Sequence, residues 1–257
     1  MKRRHASFDL EHWRTTFGVH FNVKYLSSWL RSHNYTPQVP RRSYREENLR
    51  KVKYWVEHTW PKIQEKAREK GAFLVLLNES GLLMAPFLRR TWALRGHRPN
   101  FPQQGGRRQK VSVTAAIVFT PKSKLRLFYK TLVNGYFDNF YSALYLEALM
   151  KEFEGEKVIL VWDSGPNHHG DPIRQVEKIF KGKLFLKKLP PYAPKIKPVE
   201  FLWSWLKYGR LCNYAPKNSK ELNQRIVEEL DPIKDNTKLL RAIWLESKLP
   251  LPEALIF

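Results

Sequence analysis

The sequence predicts a mixed α/β domain, and three observations carry that prediction. Apolar runs of strand length follow Gly71, at residues 73–77, 111–119, 125–132 and 158–162. Helical patterns then alternate with the later runs, around residues 139–151, 172–180 and 198–208. The chain has 257 residues, 42% of them hydrophobic and 14% aromatic, enough for one sizeable core plus a small accessory piece.

The segments ahead of the core read as helical. From Phe17 the chain makes a turn, Asn22 is placed to cap a short helix, and Val23, Leu26 and Leu30 share one face. Lys24, Ser27, Ser28 and Arg31 fall elsewhere, a polar and basic face that suits either a DNA recognition helix or an ordinary amphipathic helix. Pro37 and Pro40 end helical structure, and Arg41 and Arg42 follow as a basic linker. From Glu46 to Lys70, Val52, Val56, Trp60 and Ile63 recur at three and four, which predicts a connecting amphipathic helix that Pro61 kinks or restarts. The expected organisation is a helix-turn-helix-like module and linker (1–42), a connecting helix (43–70), the α/β domain (71–230) and a weakly helical tail (231–257).

Charge narrows the class of partner. Lys and Arg number 46 against 24 Asp and Glu, giving +22 and a sequence pI near 10.1, which points to a polyanion and first to nucleic acid. Residues 80–137 carry 11 basic side chains and no acid, and residues 178–220 carry 11 with one acid, Glu200. An isolated carboxylate in such a field is either an ion-pair partner or a metal ligand at the floor of a phosphate channel. Cys212 is the only cysteine, excluding an internal disulfide and a multi-cysteine zinc site. No apolar run approaches the roughly 18 residues of a membrane span, and the first residues lack the apolar stretch of a signal peptide. The expectation is a cytoplasmic, nucleoid-associated protein with no membrane partner.

Two predicted strands end in polar clusters. The first runs into Asn78-Glu79-Ser80-Gly81 and the fourth into Asp163-Ser164-Gly165-Pro166-Asn167-His168. Strand carboxyl ends are where open α/β sheets build sites, because buried strands fix the side chains that follow them. A third segment, Leu189-Pro190-Pro191-Tyr192 through Lys197-Pro198-Val199-Glu200 to Trp203 and Lys207, puts Pro198 and Glu200 in the first turn of a helix. Singly, Glu200 could merely complement the helix dipole and Asp163 merely shape a turn.

Together with Arg89-Arg90-Thr91-Trp92-Ala93, Gly96 and Pro99, these segments resemble the bacterial insertion-sequence branch of the mariner superfamily of DDE transposases, over roughly residues 17–230. The 36 residues between Asp163 and Glu200 fit the short second interval of that branch. The resemblance implies an RNase H-like mixed sheet flanked by helices and a catalytic, metal-binding set at Asn78, Asp163 and Glu200. It also implies two Mg²⁺ or Mn²⁺ ions, double-stranded DNA as substrate (transposon ends and a TA-type target) and a homodimer that synapses two ends. Hard divalent ions suit this chemistry because one activates the attacking oxygen while the other stabilises the leaving oxygen.

The sequence departs from the family at two of these places. Asn78 stands where the family has aspartate, so the site loses a full negative charge, and reduced metal affinity with weak or absent cleavage is expected. Lys197 stands where the family usually has asparagine, either as a phosphate contact or as a further loss of metal affinity. Glu79 is a possible substitute ligand, but strand alternation points it to the opposite face unless a bulge or twist intervenes. His168, on a family motif position, is favoured over His169 as site support, with a purely structural histidine as the alternative. Arg89, Arg90, Arg107, Arg108 and Lys110 join Lys24, Arg31, Arg41 and Arg42 as expected DNA contacts. The last three of the first group lie beside Gly105-Gly106, where backbone can approach a strand closely. Family members carry two N-terminal DNA-binding units. Here the second alone is expected, with an upstream-frame partner supplying the first or the chain being truncated. The competing reading is a non-catalytic DNA-binding remnant or repressor.

Overall fold

The computed structural model describes residues 18, 23–35, 48–85, 87–91, 100 and 109–252. The chain divides into two compact units, Met1–Tyr44 and Arg45–Phe257. In the first, helix α1 (Val23–Ser32) closes on Arg31 in its last turn. Trp29 and Arg31 are exposed, and the Trp29 carbonyl accepts from Ser32 Oγ at 2.7 Å. Asn22, Arg41 and Arg42 lie outside the described residues, as does the side chain of Lys24.

The second unit opens with one long amphipathic run. Helix α2 (Leu49–Tyr54) starts at Asn48, whose side chain accepts from Lys51 N. A π stretch (Trp55–Thr59) follows and then α3 (Trp60–Lys70), with Pro61 in its first turn, where a missing N–H leaves nothing unpaired. Pro61 therefore restarts the α-helix, and the adjustment ahead of it is a widened turn. Gly71 ends α3 at φ 58, a left-handed conformation that glycine adopts without strain.

Five strands form one sheet in the order β3-β2-β1-β4-β5: β1 (Phe73–Leu83), β2 (Lys110–Phe119), β3 (Leu125–Val133), β4 (Val158–Trp162) and β5 (Leu184–Lys188). β2 runs antiparallel to β1 and β3, whereas β4 is parallel to both β1 and β5. Alternating side chains feed two cores. On one face Leu74, Leu76, Ile159 and Val161 pack with α3, α6 (Pro198–Trp205), α7 (Ser219–Leu230) and α8 (Thr237–Leu245). On the other, Val75, Leu77, Leu160 and Trp162 pack with α4 (Asn139–Glu152) and α5 (Asp171–Ile179). Helices on both faces of the sheet explain why β4 is apolar at every position.

Three expectations are corrected. β1 extends past Leu77 to Leu83, because β2 pairs with it as far as Leu83–Lys110; Asn78 and Glu79 thus lie within the strand. β5 is additional. Its sequence, LFLKK, has too little alternation to stand out, yet it lies along fully buried β4 and covers that strand's outer edge. The expected tail is part of the core: Trp244 is fully buried and donates from Nε1 to the Leu249 carbonyl at 2.9 Å, while Trp60 Nε1 donates to the Pro250 carbonyl at 3.0 Å. Among the described residues, no helix is long and apolar enough to cross a membrane.

Candidate active site

The parallel pairing of β1 and β4 brings the strand ends together. Leu76 pairs with Val161, and both face the α6–α8 core. Two residues on from that pair stand Asn78, within β1, and Asp163, the first residue after β4, so the parallel pairing brings the two positions to the same end of the sheet. Asn78 is buried. Its antiparallel partner is Ala115, and the register runs without interruption from Leu74 to Leu83, so no bulge turns Glu79 to join it.

Glu79 nevertheless connects to Asp163 through a histidine. His168 sits in the 3₁₀ turn Pro166–His168 after β4, buried, with its ring stacked on Trp162 at a centroid distance of 4.2 Å. Its Nε2 lies 2.8 Å from Glu79 Oε1, and its Nδ1 lies 2.9 Å from both Asp163 Oδ1 and the Asp163 carbonyl oxygen. Asn167 Nδ2 donates to the same Glu79 oxygen at 3.1 Å. Burial pulls the imidazole toward neutrality, but the hydrogen bonds to Asp163 and Glu79 and the Glu79 charge outweigh it and raise its pKa to about 9. An imidazolium thus bridges two carboxylates. Glu79 also faces α4: buried Tyr145 is pushed well above 10 by burial and then by the Glu79 charge.

Asp163 is further committed. Lys197 Nζ donates to Oδ2 at 2.6 Å and Gly165 N donates to Oδ1 at 3.0 Å. The bond to His168 holds the carboxyl well below its ordinary range, burial opposes this, and Lys197 and Gly165 add to the lowering. Lys197 is the residue from which α6 departs, so the Pro-rich approach sets its position.

Glu200 occupies the first turn of α6, half-buried, with Val199, Leu202 and Trp203 anchoring the helix in the core. The helix widens to a π stretch at Leu206–Arg210, which carries Lys207. Lys207 Nζ donates to Ser80 Oγ at 2.7 Å. Burial lowers its pKa, and the Glu200 charge opposes the shift. Ser80 stands two residues beyond Asn78 on the same face of β1, so Lys207 ties the Glu200 helix to the Asn78 face. Sequence reasoning missed Ser80, Asn167 and Lys207 as site members. The signal for Lys207 was its seven-residue spacing from Glu200, two helical turns on one side.

The other expected residues disperse. Arg89 Nη1 donates to the Tyr208 carbonyl at 2.7 Å and Arg90 is exposed beside it. Lys110 Nζ lies over the Tyr136 ring, 2.8 Å from its centroid. His169 lies beside His168 on a cleft of about 260 Å³ bordered by Arg174 and Lys188. Arg107 and Arg108 fall outside the described residues, as do Trp92 and Gly105-Gly106.

A pair of divalent ions would need several oxygen ligands, preferably anionic. Asn78 offers a neutral carbonyl, Asp163 is engaged by a lysine, a histidine and a backbone N–H, and Glu79 is bound to His168. Among the described residues, no group of three or more His, Cys, Asp or Glu side chains is placed to hold a metal. This donor set does not fit the two-ion arrangement.

Comparison with known proteins bears on the fold and the family. The fold is similar to the Mos1 transposase paired-end complex with the left transposon end (TM-score 0.62, 15% identity, 97% of this chain and 77% of that one). It is also similar to the pre-cleavage Mos1 transpososome (0.63, 15%, 99% and 78%) and to the catalytic domain of Mos1 mariner transposase (0.51, 16%, 85% and 94%). No curated protein matches in sequence. A winged helix-turn-helix family matches residues 11–59, further into α2 and its π stretch than the expected boundary at 42. The DDE superfamily endonuclease domain matches residues 74–224, from the second residue of β1 into α7 and more than half of the chain. This chain therefore belongs to the DDE superfamily of endonucleases.

Proposed function

We propose that the chain handles double-stranded DNA as a transposase of the bacterial insertion-sequence branch of the mariner superfamily, with cleavage and strand transfer weak or absent. The observation that carries the reading is the DDE endonuclease match over residues 74–224, which spans Asn78, Asp163 and Glu200 together. The winged helix-turn-helix match and the +22 charge support DNA as the partner. Residues 1–42 serve as DNA-binding module and linker, 43–70 as the connecting helix and 71–230 as the catalytic domain, to which the last helix is added.

The similar Mos1 structures include a paired-end complex. By analogy, we assign a homodimer here that gathers two transposon ends for a TA-type target, with an upstream-frame partner completing end recognition. Metal chemistry in this superfamily calls for Mg²⁺ or Mn²⁺. Because the donor set does not fit two ions, affinity for them is reduced and no cleavage step is assigned to the chain's own residues. The Lys197–Asp163 contact favours a second reading, a non-catalytic DNA-binding remnant or repressor.

Binding and nicking of end-bearing duplex, measured side by side with Mn²⁺ and with EDTA, separate the two. In the transposase reading Asn78→Asp combined with Lys197→Gln raises Mn²⁺-dependent nicking above the wild-type level, and Glu200→Ala in that background abolishes it. No gain in nicking from the double variant, with salt-sensitive binding indifferent to EDTA, favours the remnant.

A further inference from the structure

Asp163 carries a cation already. Lys197 Nζ is 2.6 Å from Asp163 Oδ2, and its side chain is only 12% exposed. An ammonium presents three donors, of which this contact uses one. The second carboxylate on this face has an ammonium near it as well: Lys207 feels the Glu200 charge and bonds Ser80. Lys197 thus pairs with one carboxylate at contact distance and Lys207 lies within electrostatic reach of the other, while Asn78 adds no charge.

We infer that the Lys197 ammonium takes the cation position beside Asp163, so that this site holds a DNA phosphodiester by a protein-borne charge and excludes a divalent ion there. Three features support this. A divalent ion approaching Oδ2 would have to displace a short charge-assisted hydrogen bond from a lysine fixed at the start of α6. The opposite oxygen, Oδ1, is taken by His168 Nδ1 and Gly165 N, so rotating the carboxylate does not free it. Restoring charge at residue 78 alone leaves that contact intact. Paired with an ammonium, Asp163 also repels phosphate less, and that ammonium has two further donors. The inference rests on the DNA reading above for its ligand, but its claim about the ion stands apart from it.

The test is Mn²⁺ binding to the full chain, followed by electron paramagnetic resonance, for wild type, Asn78→Asp, Lys197→Gln and the double variant, with duplex affinity in EDTA measured by fluorescence anisotropy. The double variant is expected to bind Mn²⁺ at least tenfold more tightly than Asn78→Asp, which gains little over wild type. In EDTA, Lys197→Gln is expected to lose several-fold in duplex affinity, since Asp163 is left as a bare anion. Asn78→Asp matching the double variant in Mn²⁺ affinity would overturn the inference, and so would unchanged duplex affinity in Lys197→Gln. If the double variant does not fold, Lys197→Gln against wild type decides by the same two measurements. A wild-type chain that binds no duplex at all would sink the DNA reading, and the order of Mn²⁺ affinities would still judge the lysine.

Discussion

The two faces of β1 differ sharply where the strand leaves the core. On the α4 face, Glu79 is held by His168 and Asn167, and His168 is buried against Trp162. On the α6 face, Asn78 is neutral, and Ser80, Lys207 and Glu200 form a looser, partly open group. Asp163 joins the two, since His168 reaches it from one side and Lys197 from the other. Successive residues of one strand thus have different surroundings: the odd face is fixed by buried partners, and the even face carries the partly exposed polar group.

The comparison breaks most severely if the fixed face loses its aromatic floor. Trp162 is almost wholly buried and its ring lies nearly parallel to His168, with an interplanar angle of 10°. Trp162→Ala is expected to lower stability by about 3–5 kcal/mol, the usual range for emptying a large aromatic site. Urea unfolding measures this. A loss below about 1 kcal/mol would mean that the ring does not support the histidine and that the two faces are less different than they look.

A smaller effect comes from titrating the bridge. The His168 pKa is raised from the ordinary 6.5 to about 9 in the folded chain. A raised folded value stabilises fully below the unfolded pKa and is lost as pH climbs through the folded one. Stability is therefore expected to fall by roughly 2–3 kcal/mol between about pH 6.5 and pH 9. His168→Gln removes that slope while keeping a hydrogen-bonding side chain. An equally steep slope in the variant would assign the pH dependence to other groups.

Much of this face pattern was legible beforehand, and the reason is local. Polar clusters at the ends of apolar runs announced Asn78, Asp163 and His168, and Pro198 with Glu200 announced the first turn of α6, because each depends on neighbours within a few residues. Alternation also placed Glu79 on the face away from Asn78, and the unbroken β1–β2 register agrees. Pairings between distant segments were not legible. His168 meets Glu79 across 89 positions, Lys197 meets Asp163 across 34 and Lys207 meets Ser80 across 127. Such contacts follow from the sheet order, with β4 beside β1 and α6 on one face, and no short pattern encodes that order. The same cause hid β5 and the packing of α8. β5 is a strand because β4 pairs with it, and α8 is ordered because Trp244 enters a core built from residues far upstream.

The smallest expected effect sharpens the other side of the comparison. Ser80→Ala removes the hydrogen bond that the Lys207 ammonium donates to the Ser80 hydroxyl at 2.7 Å. A hydrogen bond to a charged group contributes more than a neutral one. This site is part-exposed, however, so water can replace the hydroxyl, and a loss of about 1 kcal/mol is expected in urea unfolding. Duplex affinity in EDTA should change little, because the ammonium keeps its charge and its position near Glu200. If Ser80→Ala instead destabilises the chain as much as Trp162→Ala, the α6 face is as firmly built as the α4 face. The division of β1 into a fixed side and an open side then fails.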